Sequence, residues 1–312
     1  MGTKGIKACS DEELVYLVQT IGATKTAEKV GITERNVYAR LQRLRQFQQI
    51  NTPTQLTVEH PDRVCFDLKN GSVLIGSDFH IWPGNESTAL RAFKKICKDI
   101  QPRAVILNGD VLDFPSISRH PPMGWEGIPM PFEEIECVQD HLSDIEQASP
   151  RGSKKVWTLG NHDARFEMKL AAFAKEYKNI KGIHLSDHFN PCWEKGWSTW
   201  INDTVVCKHR WKGGIHATHN NTLNSGKTMV TGHLHSQRVT PFTDYNGTRY
   251  GIDTGCVADP YHQAFSYAED NPRNWISGFA VLTFRDGKLL LPELCSVWSK
   301  NEVQFQGKII KV

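Results

Sequence analysis

Several absences narrow what this chain of 312 residues can be. No apolar run approaches the roughly 18 residues that a membrane helix needs. No apolar core follows Met1-Gly2-Thr3-Lys4-Gly5, so no signal peptide is expected. The eight cysteines (Cys9, Cys65, Cys97, Cys137, Cys192, Cys207, Cys256 and Cys295) form no C-x-x-C pair. That fits a reducing cytosol with thiols serving as small core residues. The expectation is a cytoplasmic protein without a membrane partner. There is no large net charge either: +3 is too small for a protein coated in nucleic acid throughout. Internal repeats and low-complexity tracts are absent. What remains is a chain 39% hydrophobic and 23% charged, able to bury a core, with length enough for two domains.

Short apolar runs that stop at loaded polar tips are abundant. Val156-Trp157-Thr158-Leu159 ends in Gly160-Asn161-His162-Asp163. Val73-Leu74-Ile75-Gly76-Ser77 ends in Asp78-Phe79-His80, and Val105-Ile106-Leu107-Asn108-Gly109 ends in Asp110-Val111-Leu112-Asp113. Met229-Val230-Thr231 ends in Gly232-His233-Leu234-His235. Such runs read as buried strands. Open α/β sheets bind ligands beyond the carboxyl ends of their strands, so the four tips predict one polar site.

Residues 1–50 read as a separate all-α module. Ser10 followed three positions later by Glu13 is a helix start, and Leu14, Leu17, Val18 and Ile21 recur at helical spacing up to Gly22. Small Ala27, a turn at Gly31 and a cap at Thr33 then precede Val37, Leu41 and Leu44 on one face. The stretch from about 10 to 48 resembles the helix-turn-helix of DNA-binding proteins. Between Thr24 and Gln48, six cations (Lys25, Lys29, Arg35, Arg40, Arg43, Arg45) face two acids (Glu28, Glu34), a local excess of +4 in a chain of net +3. Outward residues at the start of a recognition helix read bases; here they are Arg35, Asn36 and Tyr38. Arg40, Arg43 and Arg45 would meet phosphates, which position without specifying. DNA is the expected partner, and a packing or oligomerisation module with a solvated basic face is the alternative. Residues 51–62, polar and with two prolines, read as a linker.

Residues 63–312 read as one α/β domain. Val64–Leu68 and Val73–Ile75 flank Asn70-Gly71, a hairpin-type turn signal. Ser87 opens a helix whose Leu90, Phe93, Ile96 and Cys97 face inward, and the next strand makes a βαβ unit that favours parallel pairing. A long loop from Phe114 to Phe132 carries five prolines and two glycines and leaves directly from a strand tip. Loops of that length are commonly functional or disordered, and its Arg119, His120 and Trp125 are candidates to touch substrate. Helices follow over Glu133–Gln147 and Ala164–Tyr177. Thr204–Cys207 is a strand that delivers His209. The C-terminal part reads as β-rich, with strands over Arg249–Asp253, Phe279–Phe284 and Leu289–Val297 and a hairpin at Asp286-Gly287.

Singly, an Asp or His at a strand end is a cap or a satisfied polar group. Jointly, Asp, Asn and several His are mixed oxygen and nitrogen ligands suited to Mn²⁺, Fe or Zn²⁺. A carboxylate between two ions roughly 3.5–4 Å apart can hold a shared hydroxide for in-line attack on phosphorus. Asp78-x-His80, Gly109-Asp110-x-x-Asp113, Gly160-Asn161-His162-Asp163, an isolated His and Gly232-His233-x-His235 resemble, in order, the signatures of the calcineurin-like metallophosphoesterase superfamily. The resemblance spans about 64–240. It implies a four-layer α/β/β/α sandwich of two mixed sheets flanked by helices. It implies two divalent ions, Mn²⁺ first, with Fe, Zn²⁺ or Ni²⁺ compatible. Asp78, His80, Asp110 and His235 would hold one ion, and Asp110, Asn161, His209 and His233 the other. His162 would be the acid or transition-state donor, oriented by Asp113.

Two departures bear on the site and substrate. The isolated His of the family commonly precedes Gly, whereas His209 precedes Arg210; His216 and His219 are rivals, set in a polar, turn-rich segment. The protein-phosphatase branch has arginines after the second aspartate and before Gly-Asn-His, where this chain has Phe114 and Leu159. A basic helix-turn-helix joined to such a domain, a pairing like those of bacteriophage genomes, suggests a phosphodiesterase or nuclease acting on DNA. The alternatives are a phosphatase on nucleotides or small phosphomonoesters with a regulatory N-terminal module, and a non-catalytic DNA-binding protein.

Overall fold

The computed structural model describes residues 9–48, 62–120 and 127–312; the side chains of 42, 43 and 45–48 are outside that description. It divides into two compact units, Met1–His60 and Pro61–Val312. The linker expected at 51–62 falls outside the described residues except for Asp62.

In the first unit, α1 spans Asp11–Ile21, α2 Ala23–Val30 and α3 Glu34–Gln48. The chain's own chemistry sets these ends. The Ser10 hydroxyl accepts from the Glu13 backbone N–H at 3.0 Å, and Thr33 accepts from that of Asn36 at 3.2 Å. Gly31 closes α2 at φ 75°, a left-handed value glycine adopts without strain. Leu14, Leu17 and Val30 form the centre, with Cys9, Ile32 and Leu41 packed round it. The inward face of α1 is narrower than its spacing suggested, because Ile21 is exposed.

The second unit runs β1 (Arg63–Phe66), β2 (Gly71–Gly76), α4 (Thr88–Ile100), β3 (Ala104–Leu107), α5 (Pro131–Ala148), β4 (Lys154–Thr158), α6 (Ala164–Phe173), β5 (Trp193–Gly196), β6 (Ser198–Ile201), β7 (Val205–Cys207), α7 (Ala217–Ser225) and β8 (Thr228–Thr231). It continues through β9 (Arg238–Asp244), β10 (Gly247–Asp253), β11 (Gly278–Arg285), β12 (Lys288–Leu289), β13 (Glu293–Ser299), β14 (Glu302–Phe305) and β15 (Lys308–Lys311). One sheet has the order β15-β14-β13-β11-β2-β3-β4-β5, with β12 on β11; the other has the order β1-β6-β7-β8-β10-β9. Both are mixed, and β2, β3, β4 and β5 run parallel.

The period of two along a strand builds the layers. Val73, Ile75, Ala104, Ile106 and Val156 face the second sheet and pack with Ile201, Val205, Cys207, Val230 and Ile252. Their neighbours Leu74, Val105, Leu107 and Trp157 point the other way, into a core shared with Leu90, Phe93 and Ile96 of α4 and Val138, Leu142 and Ile145 of α5. On the far face of the second sheet, α7 packs against β8, β9 and β10. The result is an α/β/β/α sandwich.

Two local expectations fail. Asn70-Gly71 does not close a hairpin: β1 pairs with β6 in one sheet, and β2 lies between β3 and β11 in the other. Residues Val73 to Ile75 are fully buried, so both edges of β2 need partners, which leaves β1 an edge of the second sheet. The crossing is tied down by Asn202, whose side chain bonds both the N–H and the C=O of Leu68 at 2.7 Å. The helix expected over Ala164–Tyr177 stops at Phe173, and Lys175–Tyr177 is a separate 3₁₀ turn.

Candidate active site

The tips of β2, β3, β4, β7 and β8 converge. Asp78 Oδ1 lies 3.0 Å from His235 Nε2 and 3.9 Å from both His80 Nε2 and His209 Nε2. Asp110 Oδ2 lies 3.0 Å from His209 Nε2 and 3.8 Å from His162 Nε2. Asp78, His80 and His235 therefore offer ligand atoms within 4.8 Å of one another, as do Asp110, His209 and His233. Of the rival histidines, His209 is the one at the cluster. His216 stands just before the start of α7, and His219 packs on Phe242.

Backbone geometry shows how tightly the tips are held. Asp78, His80, Asp110, His233 and His235 all have positive φ, between 39° and 68°. Each such residue costs on the order of 1–3 kcal/mol and persists only where its surroundings over-determine it. Two glycines make the approach possible. A Cβ on Gly160 would sit 2.1 Å from Asp110 Oδ1, and one on Gly232 would sit 2.5 Å from Asp78 Oδ2.

The donor set fits divalent ions. His80 Nε2, Asn161 Oδ1, His209 Nε2 and His235 Nδ1 are buried without a hydrogen-bond partner. Buried polar atoms are rarely left unpaired, and all four belong to candidate ligands. His209 Nε2 is near Asp110 but off line for a hydrogen bond, while its Nδ1 is fixed on the Asn108 carbonyl at 2.8 Å. A second bond that sets ring orientation is the usual arrangement for a ligating histidine. The field agrees. Burial opposes ionisation of Asp78 and Asp110, but His235 and His209 around the first, and His209 and His162 around the second, hold both carboxyls well below their usual range. Burial likewise opposes charge on His209, yet Asp110 and Asp78 push it up to about 10.

His162 and Asp113 form a third group with His80. Asp113 Oδ1 lies 2.5 Å from His162 Nδ1 and 3.1 Å from His80 Nδ1, so one carboxylate orients both rings. Burial lowers the affinity of His162 for a proton, but the Asp113 bond and the Asp110 charge outweigh it and leave it raised.

Sequence reasoning missed several supporting residues. Asp163, fully buried, accepts from the N–H groups of Gly160, Asp110, Val111 and Leu112 and from Trp157 Nε1 at 2.8–3.2 Å. It locks the β3 and β4 tips together. Buried Glu134 accepts from the N–H of Asp113 and Phe114 at 3.0 and 2.8 Å. Burial first, then the charge of Asp113, raises its carboxyl to about 8. Arg165 donates to the Asp113 carbonyl at 2.7 Å and lies 3.2 Å from His162 Nε2, a cation beside the site that does not occupy either protein-phosphatase position. Phe265 and Trp275 pack edge-on against His235, and Phe265 also against His80. Only Asp163 carried a signal, as the last residue of Gly-Asn-His-Asp.

The remaining candidates lie elsewhere. Arg119 and His120 are exposed and 3.4 Å from each other, with no hydrogen bond to the cluster among the described residues; Trp125 is outside those residues. Arg35, Asn36 and Tyr38 are exposed at the start of α3. Arg40 is half-buried, and its guanidinium is held by Asp11 at 2.5 Å and the Cys9 carbonyl at 2.6 Å. It joins α3 to the start of α1. The Arg43 side chain lies outside the described residues.

A family model described as calcineurin-like phosphoesterase matches residues 71–249. The Gene 54 protein of Mycobacterium phage L5 is 26% identical over 259 residues, covering 72% of this chain and 93% of that protein. The Gene 54 protein of Mycobacterium phage D29 is 27% identical over 256 residues with the same coverage. Among solved structures, Vps29 complexed with zinc from Entamoeba histolytica is 12% identical, covers 77% of this chain and 98% of its own, and has a TM-score of 0.41.

Proposed function

The chain belongs to the calcineurin-like phosphoesterases, and from that premise we propose a two-metal hydrolase that cleaves phosphodiester bonds in DNA. The observation that carries the metal half is the pair of adjoining donor groups with buried, unpartnered ligand atoms. Asp78, His80, Asp110 and His235 would hold one ion, and Asp110, Asn161, His209 and His233 the other, with Mn²⁺ the first choice for mixed oxygen and nitrogen donors. Such ions supply Lewis acidity and lower the pKa of a water.

The protein's own groups do the rest. Asp113 fixes His162 through Nδ1, and Arg165 Nη2 donates to His162 Nε2 at 3.2 Å. With substrate in place, the Arg165 cation would turn to the phosphate charge, and the protonated His162 ring would donate through Nε2–H to a phosphoryl or leaving oxygen. Asp163 and Glu134 hold the loops that carry Asp110 and Asp113, so the ligands need little rearrangement when substrate arrives.

The DNA half rests on the first unit. Its α3 starts with exposed Arg35, Asn36 and Tyr38, and Thr24 to Gln48 carries a local excess of +4 in a chain of net +3. Tethering such a module by a short linker holds a phosphodiester near the site at an effective concentration of up to about millimolar. One comparison tests the reading: Mn²⁺-dependent cleavage of single- and double-stranded DNA against phosphate release from nucleoside monophosphates. Cleavage of DNA is expected. Robust release from the monoesters with DNA untouched would overturn the nuclease and leave the metal site standing.

A further inference from the structure

Beside the metal cluster is a cavity of about 530 Å³ that the ligand set does not explain. His209 and His233 form one wall. The rest includes Lys208, Arg210 and Lys212 from the segment after β7, together with Trp197 and Trp211. No acidic residue lines it. Among the described residues, the Lys and Arg ion pairs leave all three of these cations unpaired. Both tryptophans are 46% exposed. A large apolar ring is normally buried, so two in one basic hollow need a reason. The segment is also anchored where it matters. His209 is fixed on Asn108 at 2.8 Å, and the Lys212 N–H donates to the buried Asn221 at 3.1 Å. Arg210, which stands where the family commonly has Gly, opens into this hollow.

Resting on the nuclease reading, we propose that this groove is the binding site for an unpaired DNA strand leading to the metal cluster. Trp197 and Trp211 stack bases, while Lys208, Arg210 and Lys212 meet phosphates. The chemistry selects this ligand. Stacking platforms alternating with cations are how single strands are held without regard to sequence. A paired duplex hides its base faces and offers tryptophan nothing to stack on. The volume suits a ligand of nucleotide size, and the wall shared with His209 and His233 brings its phosphate to the ligands.

The test measures binding of the full chain to oligo(dT) and to a duplex of equal length, with EDTA present so that neither is cut. Replacing both tryptophans (Trp197→Ala with Trp211→Ala) should weaken oligo(dT) binding about 30-fold or more, at roughly 1–3 kcal/mol for each of the two stacked bases, and weaken duplex binding far less. Arg210→Ala with Lys212→Ala should flatten the slope of log K against log salt by about 1.4, at ~0.7 for each single-strand phosphate no longer neutralised. Trp298→Ala, an exposed tryptophan on β13, should change neither. Circular dichroism checks folding; if the tryptophan variant is misfolded, the Arg210/Lys212 slope decides. Wild-type oligo(dT) affinity in the folded variant, or equal loss on single strand and duplex, would overturn the groove. Tight, tryptophan-dependent binding of a strand that is never cut in Mn²⁺ would keep the groove and remove the nuclease. Cleavage with affinity indifferent to both variants would do the reverse.

Discussion

The two units handle polar residues in opposite ways. In Pro61–Val312, the candidate ligands are held by backbone in strained conformations, by Asp113 and Asp163, and by two packed cores. In Met1–His60, a small core round Leu14, Leu17 and Val30 holds three helices, and the residues proposed to read DNA are exposed. Chemistry on a bond needs groups fixed to fractions of an ångström before substrate arrives. Recognition of a long anion tolerates side chains that settle on contact. The difference is the one expected if the second unit does chemistry and the first recognises DNA.

The largest effect expected is on turnover. His162→Ala should lower kcat by about 10²–10⁴ in a bis-p-nitrophenyl phosphate assay while metal content stays near wild type. Loss of metal instead would make His162 a ligand and move it into the other class of residue. Next comes the small helical core. Leu14, fully buried, should cost about 2–5 kcal/mol on replacement by Ala, enough to unfold the first unit. Duplex DNA affinity should then fall while small-diester turnover persists; loss of both together would show that the units do not act separately.

Gly160→Ala sharpens the contrast from the other side. A single methyl would land against Asp110 Oδ1, and overpacking of this kind costs about 1–3 kcal/mol. Metal affinity should drop before DNA affinity does, as read by titration of each. Equal affinity for metal would mean the tips can yield. The remaining effect is one of pH. Glu134 has its carboxyl raised to about 8 against an ordinary 4.5, chiefly by burial. Between those values the folded chain keeps a proton that the unfolded chain has lost. Stability should therefore fall as pH rises through that window, by at most about 1.4 kcal/mol per pH unit from this group. Glu134→Gln should flatten the slope in denaturant melts; an unchanged slope would remove the buried acid from the account.

What the sequence revealed divides along the same line. Asp, Asn and His at the ends of apolar runs were legible because strand tips and ligand chemistry are both local patterns. So were the Ser10 and Thr33 caps. The partner of each strand was not: Asn70-Gly71 marks a turn, but which sheet β1 joins depends on the edges left by β11 and β6, more than a hundred residues away. Glu134 and Arg165 escaped because an acid or base on a helix is usually solvated, and nothing in their neighbours says otherwise. The Asp11 partner of Arg40 escaped for the opposite reason, since a basic run does not reveal which of its members meets an acid.

The central claim is the two-metal cluster, and a metal titration tests it most directly. Chain stripped of metal is titrated with Mn²⁺ while binding stoichiometry and bis-p-nitrophenyl phosphate hydrolysis are followed together. The account predicts no turnover without metal and activity that rises as about two ions bind per chain, both abolished by Asp110→Ala. Turnover independent of divalent metal, or a chain that binds none, would contradict it.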